Sequence, residues 1–504
     1  MFRVPYSVSV EQTRKIKYVP IDRSQVRLLP LDVEGLIPQH HPARIIWEVS
    51  ERFDLSGFEA TKKTRDGEAG RPCWSARLLV SVWIYSYTLG VASARAIERM
   101  MEHEPGLRWL TGLEVMNYHT LSDFRVGHKE AVEELFAQFL AMLESAGVVD
   151  FGRMLHDGTK VKAVAGSSSL HRRKTLEKKL KQARKVVREL DRRAEQAEGE
   201  GVDRKREAAQ ARAAQEAVRR ASAALERLKK LQAAAAPRDR DEVRVSVSEP
   251  EARKMKHADG SWAPSYNVQV STEGQSRMIV GIAVTTAAND TQELLPAIEK
   301  VKDNTGGVPK QVIADNGYAT RSNVEQTSAQ NIELIAPWKD DRAREAGACA
   351  RNRIAREFVP SAFVIERGGK TLTCPAGKKL VMIGQKIQHG VQHNIFEARR
   401  KDCGRCRWKK QCCPRSSARR IGRVVESQAM KEYLARMKRR AVRKLYRTRC
   451  EIAEFPHLWM KAVKKWRRFS VRGTVKAGME AIWVALAYNL VQWMRVRPVA
   501  EAVA

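Results

Sequence analysis

LHDGTKVKAVAG, residues 155–166, sets an acid against a glycine at the end of a short apolar run, then alternates small apolar with basic residues. Alternation has the two-residue period of a β-strand. Asp157-Gly158 on its own reads equally as a turn, since Asp-Gly is a common hairpin connection. The other reading is that Asp157 holds a metal ion, and the surrounding sequence has to separate the two.

The chain has 504 residues, with 92 Lys+Arg against 58 Asp+Glu, a formal net charge of +34, and 43% apolar residues. That length allows about two to four domains. The apolar share supports a packed core and argues against wholesale disorder. So positive a charge points first to nucleic acid and second to an anionic membrane surface. The longest apolar stretch, LLVSVWIYSYTLGVA from Leu78, is too short to span a bilayer and carries polar residues. No membrane partner is expected, and the N-terminus lacks a signal-peptide core, so the expected location is the cytoplasm, with the nucleoid.

Around the opening stretch the composition changes by segment. Residues 1–30 read as an irregular arm. From about Pro42 to Ala146 the pattern is helical: Ser93 caps ARAIERMM, Thr120 opens a Thr-x-x-Asp start signal, and KEAVEELFAQFLAMLESAG is an amphipathic helix ended by Gly147. Residues 1–150 are therefore expected to be a helical domain for DNA-end binding or dimerisation. Beyond the strand at Asp157, Leu176, Leu180, Ala183, Val187, Leu190, Ala194 and Ala197 form a heptad seam. GEG at Gly199 breaks it, and Ala214, Ala217, Ala221, Ala224, Leu228 and Leu231 form a second. The spacing predicts an antiparallel helical hairpin over 170–236, with Lys and Arg on its outer faces, either solvated or touching DNA. After Pro237 the period returns to two. YNVQVST and MIVGIAVTT read as strands, DTQELLPAIEKV from Asp290 as a helix, KQVIADNGY as a strand ending at Asp315, and IELIAPW as another. The expected fold class is α/β: a mixed-sheet core over 151–350 with the hairpin inserted, a Cys-bearing insertion over 351–423, and a helical remainder over 424–504.

Asp157 and Asp315 fall at strands of one sheet. If those strands are neighbours, the two carboxylates face each other, which is unfavourable unless a cation sits between them. Hard divalent cations such as Mg²⁺ prefer carboxylate oxygen. Two ions roughly 3.5–4 Å apart stabilise the attacking and leaving oxygens of an in-line phosphoryl displacement. A third carboxylate is then expected from another element. YRTRCEIAEFPHLWMK, residues 446–461, supplies two candidates, Glu451 and Glu454.

That stretch resembles the Tyr-Arg-Glu-Lys signature of bacterial insertion-sequence DDE transposases. Tyr446 and Arg449 stand three apart, and Lys461 lies seven beyond Glu454, which favours Glu454 over Glu451. The usual glycine and aromatic between Glu and Lys are replaced here, and Pro456 suggests a helix beginning near Glu454. HPARIIWEVSERFDL, LLVSVWIYSYTLGVASARAIERMM and TLSDFRVGHKE look like the family's helical N-terminal domain. DGTKVKAVA and ADNGY look like its two Asp motifs, YNVQ like its second strand, and RFSVRGTVKAGMEAIWVALAYNLVQW like its closing helices. The resemblance implies an RNase H-like core that cuts transposon ends and joins the freed 3′-OH to target DNA. It implies Asp157, Asp315 and Glu454 as ligands of two Mg²⁺ or Mn²⁺ ions. Tyr446, Arg449, Lys461, Lys160 and Lys162 are expected on DNA phosphates, with Arg439, Arg440, Arg443, Lys444, Lys464, Lys465, Arg467 and Arg468 as further basic candidates. Double-stranded DNA, as terminal repeats and target, is the expected partner, and joining two ends makes a homodimer a sensible expectation. His156, beside Asp157, is expected to be packed or hydrogen-bonded rather than a ligand.

Of eight cysteines, Cys403, Cys406, Cys412 and Cys413 cluster, and Cys374 lies upstream; Cys403 and Cys406, with Cys412 or Cys413 as a third ligand and Cys374 as a fourth, are candidates for a structural zinc, with reduced thiols as the alternative. Two other functions stay open at this level: a related metal-dependent nuclease that cuts without joining, and a non-catalytic DNA-binding or architectural protein descended from a transposase.

Overall fold

In the computed structural model the described residues are 24, 30–60, 72–196, 204–339, 341–388 and 391–496. Most of the expected N-terminal arm, and the glycine turn of the hairpin with Ala197, lie outside them.

Seven helices come first: α1 (Pro42–Ser50), α2 (Ser56–Glu59), α3 (Ala76–Thr88), α4 (Ala94–Met100), α5 (Pro105–Thr111), α6 (Tyr118–Gly127) and α7 (Lys129–Ser145). Their starts follow capping chemistry. The side chains of Ser75, Ser93 and Glu104 accept from the backbone N–H of Leu78, Ala96 and Leu107, satisfying donors that a first turn leaves unpaired. The start signal expected at Thr120 is displaced. Asn117 caps α6 by accepting from His119 N, so the helix begins at Tyr118, two residues before the expected signal.

The sheet begins with β1 (Arg153–Lys162), and β2 (Leu170–His171) leads into the hairpin α8 (Arg173–Gln196) and α9 (Arg204–Ala234). Leu176, early in α8, packs on Ala224 and Leu228, late in α9, so the two run antiparallel. Ala217, expected in the seam, is exposed, and the larger Val218 is half-buried in its place. Short strand β3 (Val245–Ser246) pairs with β2, and the Arg172 guanidinium forks onto both Glu242 oxygens at 2.6 and 2.7 Å, so the hairpin is clamped at its base.

The chain then lays down β4 (Arg253–Lys256), β5 (Trp262–Glu273) and β6 (Ile279–Thr285), helix α10 (Leu294–Thr305), β7 (Gln311–Ala314), α11 (Arg321–Ala329) and β8 (Glu333–Ile335). The strand order is β2-β3-β4-β5-β1-β7-β8, with β6 also on β5. β1 is antiparallel to β5 and parallel to β7, and β7 is parallel to β8. The expected mixed sheet is therefore present. The helix expected from Asp290 starts four residues later, at Leu294, which leaves Asp290 in the connecting loop.

After α12 (Asp341–Arg351) comes the Cys-bearing lobe. Strands β9 (Val364–Ile365), β10 (Thr371–Thr373), β11 (Lys379–Gln388), β12 (Val391–Ala398) and β13 (Arg420–Val424) form an antiparallel sheet, with α13 (Arg400–Gly404) and α14 (Lys409–Cys412) between β12 and β13. The rest is α15 (Gln428–Met437), α16 (Arg440–Arg447), α17 (Arg449–Leu458) and α18 (Thr474–Val496).

These helices divide between the faces of the main sheet. Leu155, Ile313 and Ile335 meet Val442, Leu445, Ile452 and Ala453 of α16–α17 on one face. On the other, Met154, Val268 and Val312 join the large core shared with α3, α7, α10 and α18. α18 is apolar almost all round because it is buried almost all round, with Trp483, Leu486 and Tyr488 fully enclosed. It also closes the sheet: the Asn489 side chain accepts from Ile279 N at 2.7 Å and donates to Ile279 O at 2.8 Å, giving β6 the pairing another strand would give. No helix among the described residues is long and apolar enough to cross a membrane.

Candidate active site

Side chains alternate across a strand, so Leu155 and Asp157 share one face of β1 while His156 and Gly158 share the other. The parallel register sets His156 beside Ala314. Asp157 and Asp315 therefore come one residue further along neighbouring strands, on the face that α16 and α17 cover. The first turn of α17 brings Arg449 down onto them. Its Nη2 lies 3.0 Å from Asp157 Oδ1 and its Nη1 lies 4.0 Å from Glu454 Oε1. One guanidinium thus spans two of the three expected carboxylates, and Asp315 is close enough to act on it electrostatically. Burial pushes the Asp157 carboxyl up to about 6; Arg449 opposes this and the neighbouring Asp315 adds to it. Glu454 stands at the rim with its side chain 60% exposed. Tyr446, at the end of α16, is half-buried beside this group, and burial raises its phenol.

The expected helix start near Glu454 is corrected. α17 begins at Arg449 and runs through Pro456 to Leu458, and a π-helical turn, Trp459–Val463, follows. Proline removes one N–H from the ladder, and wider π turns accommodate such interruptions, often at functional sites. Glu454, His457 and Lys461 consequently follow one another along a single rod. The Lys461 ammonium turns back onto β1, donating to Thr159 Oγ1 and, at 3.0 Å, to Lys160 O. Burial lowers its pKa.

Behind Asp157, on the opposite face of β1, lies a polar network that sequence reasoning missed. Asp290 Oδ1 accepts from Asn267 Nδ2 at 2.7 Å and Gln269 Nε2 at 2.8 Å. Gln269 Oε1 in turn accepts from the Tyr318 hydroxyl at 2.7 Å and sits 2.8 Å from His156 Nε2. His156 Nδ1 lies 3.0 Å from Ser271 Oγ. With both nitrogens engaged and the ring fully buried, His156 is the hydrogen-bonded residue expected, and burial holds it neutral down to about 4. The network explains Gly158: a Cβ there would stand 2.5 Å from both Asp290 Oδ1 and Gln269 Nε2. The signal in the sequence was YNVQ, whose two amides share one strand face.

The other expected residues are dispersed. Lys160 donates to Lys256 O at 3.1 Å, and Lys162 faces Asp259 at 3.8 Å. Arg439, Arg440, Arg443, Lys444, Lys465, Arg467 and Arg468 are exposed, whereas Lys464 is half-buried and donates to Thr88 O. In the Cys-bearing lobe, Cys374, Cys403, Cys406 and Cys412, joined by the buried Cys413, line one cavity of about 30 Å³. Lys378 N donates to Cys374 Sγ at 3.2 Å and Arg419 N to Cys403 Sγ at 3.4 Å. Among the described residues, no three His, Cys, Asp or Glu side chains are already drawn to ligating distance of one point. Around Asp157 the guanidinium takes the central place.

Two carboxylates thus lie on one face at neighbouring parallel strands of a mixed sheet, with exposed basic residues on the helices nearby. Residues 373–494 match a family model described as a transposase DDE domain, and residues 31–127 match a transposase domain (DUF772). The two matches indicate the DDE transposase family of insertion sequences. Among curated proteins none matches the chain.

Proposed function

We propose that the protein cuts DNA at the ends of an insertion sequence and joins the freed 3′-OH to target DNA, with Asp157, Asp315 and Glu454 holding two divalent cations, Mg²⁺ or Mn²⁺. What carries this reading is the placement of Asp157 and Asp315 at adjacent parallel strands, on the face where Arg449 reaches both Asp157 and Glu454. The donor set fits: oxygen ligands suit hard cations, and a positive group already occupies their centre. When bound, the cations would acidify a water and stabilise the departing 3′ oxygen. The chain's own groups do the rest. Arg449, exchanged from Asp157, would pair with a DNA phosphate; Lys461, held against β1, would fix the strand beside Asp157; Tyr446, Lys160 and Lys162 would line its path. The exposed basic residues of 439–468 would supply sequence-independent attraction that weakens with salt. Two chains acting together would bring two ends into register.

The test uses a duplex carrying a transposon end with a labelled 3′ strand, a supercoiled target plasmid and Mg²⁺. Label transferred into the plasmid is expected. Nicking without transfer would make the protein a nuclease that does not join, and binding without nicking would make it architectural.

The same reading puts a structural zinc on Cys374, Cys403, Cys406 and Cys412, which share one small cavity and of which Cys374 and Cys403 accept N–H···S bonds of the kind thiolates accept. Purified full-length protein treated with a mercurial thiol reagent should release about one zinc per chain. A value near zero would leave these as reduced thiols.

A further inference from the structure

His457 stands three residues after Glu454 on α17, on the same side of the helix. Both of its ring nitrogens are buried and have no hydrogen-bond partner. Leaving a buried polar atom unpaired is costly, so a side chain with two such atoms needs a reason to be there. Its Nε2 lies 3.8 Å from Asp157 Oδ2. That is too long for a hydrogen bond. It is, however, a separation that two donors on one ion adopt. With metal–ligand bonds of about 2.1 Å, two donors stand about 3.0 Å apart at a right angle and about 4.2 Å apart when opposed. Asp157 faces the ring, and the positive groups Lys461 and Arg449 act on it electrostatically.

We propose that His457 is a nitrogen ligand of the cation held by Asp157, which gives that position a mixed oxygen–nitrogen donor set and a preference for Mn²⁺ over Mg²⁺ and Ca²⁺. The inference rests on the reading that Asp157 binds a cation. Imidazole suits transition metals, whereas Mg²⁺ and Ca²⁺ favour all-oxygen shells.

The experiment uses full-length protein and Mn²⁺ alone, without DNA. Pulsed electron paramagnetic resonance on bound Mn²⁺ should show ¹⁴N modulation from a directly bound imidazole. His156 cannot be its source, since both its nitrogens are engaged with Ser271 and Gln269. His457→Ala should remove the modulation and weaken Mn²⁺ by on the order of 10–100-fold, with Ca²⁺ affinity changed far less. The wild-type spectrum decides the matter even if the variant folds poorly. Mn²⁺ bound with Asp157-dependent affinity but without nitrogen modulation overturns the role of His457 alone. Mn²⁺ binding undiminished in Asp157→Asn overturns the cation reading of Asp157 beneath it.

Discussion

Asp157→Asn is expected to lower DNA cleavage by about a thousandfold or more while leaving DNA affinity within about two-fold. The cations Asp157 would hold supply several kcal/mol of charge stabilisation in the transition state, and each ~1.4 kcal/mol is a factor of ten in rate. Binding is carried by phosphate contacts spread over the basic surface, of which one buried carboxylate is no part. The variant should fold, because asparagine keeps the Oδ1 that accepts from Gly158 N at 3.0 Å and faces Arg449 Nη2. Thermal melts give an independent readout. The folded chain holds the Asp157 carboxyl near 6, above its value of about 3.9 in an unfolded chain. Its contribution to stability is therefore full below about pH 4 and is lost as pH rises through 6. Without divalent cation, wild type should lose stability relative to Asp157→Asn as pH rises from about 4 through about 6, and Mg²⁺ should restore the wild type only. Cleavage at near wild-type rate in the variant would remove Asp157 from the reaction.

Glu480→Ala should destabilise the protein by about 3–5 kcal/mol, the usual result of removing one member of a buried charged network. Glu480 is fully buried on α18. Its oxygens accept from Trp466 Nε1 at 3.0 Å, from Ser470 N at 3.0 and 3.2 Å, and from Ser470 Oγ at 2.8 Å. The same Ser470 hydroxyl accepts from Arg125 Nη1 at 2.8 Å, and Arg125 is stacked on Trp83 at 4.5 Å. Truncation would strand the Trp466 and Ser470 donors of the segment before α18 and, through Ser470, loosen Arg125 of α6, at the junction of the N-terminal helices with α18. Denaturant titration should show the loss, with Glu480→Gln falling between alanine and wild type because it keeps one oxygen acceptor. An unchanged midpoint for alanine would mean the network holds nothing together.

Much of this architecture could be read in advance where one periodicity ruled. The two-residue alternation at Asp157 and in YNVQVST gave strands β1 and β5, and two heptad seams gave the hairpin. The misses share a cause. Pro456 looked like a helix start, since locally proline belongs in a first turn, yet packing against β1 carried α17 through it. Asp290 looked like the opening of a helix, and its tie to Asn267 and Gln269 exists only because β5 and the loop before α10 are adjacent in space. His457 carried no local signal at all. Its meaning comes from lying against a residue three hundred positions earlier.

The amide of Asn489 has an implication for how this molecule reaches its finished form. It seals the rim of β6 from a helix that follows every strand in chain order, so the rim stays open until α18 has docked. During that interval Ile279 offers a free donor and acceptor to any passing extended peptide, and association of immature chains should begin there. Seating the last helix therefore ends a window of stickiness as well as completing the core.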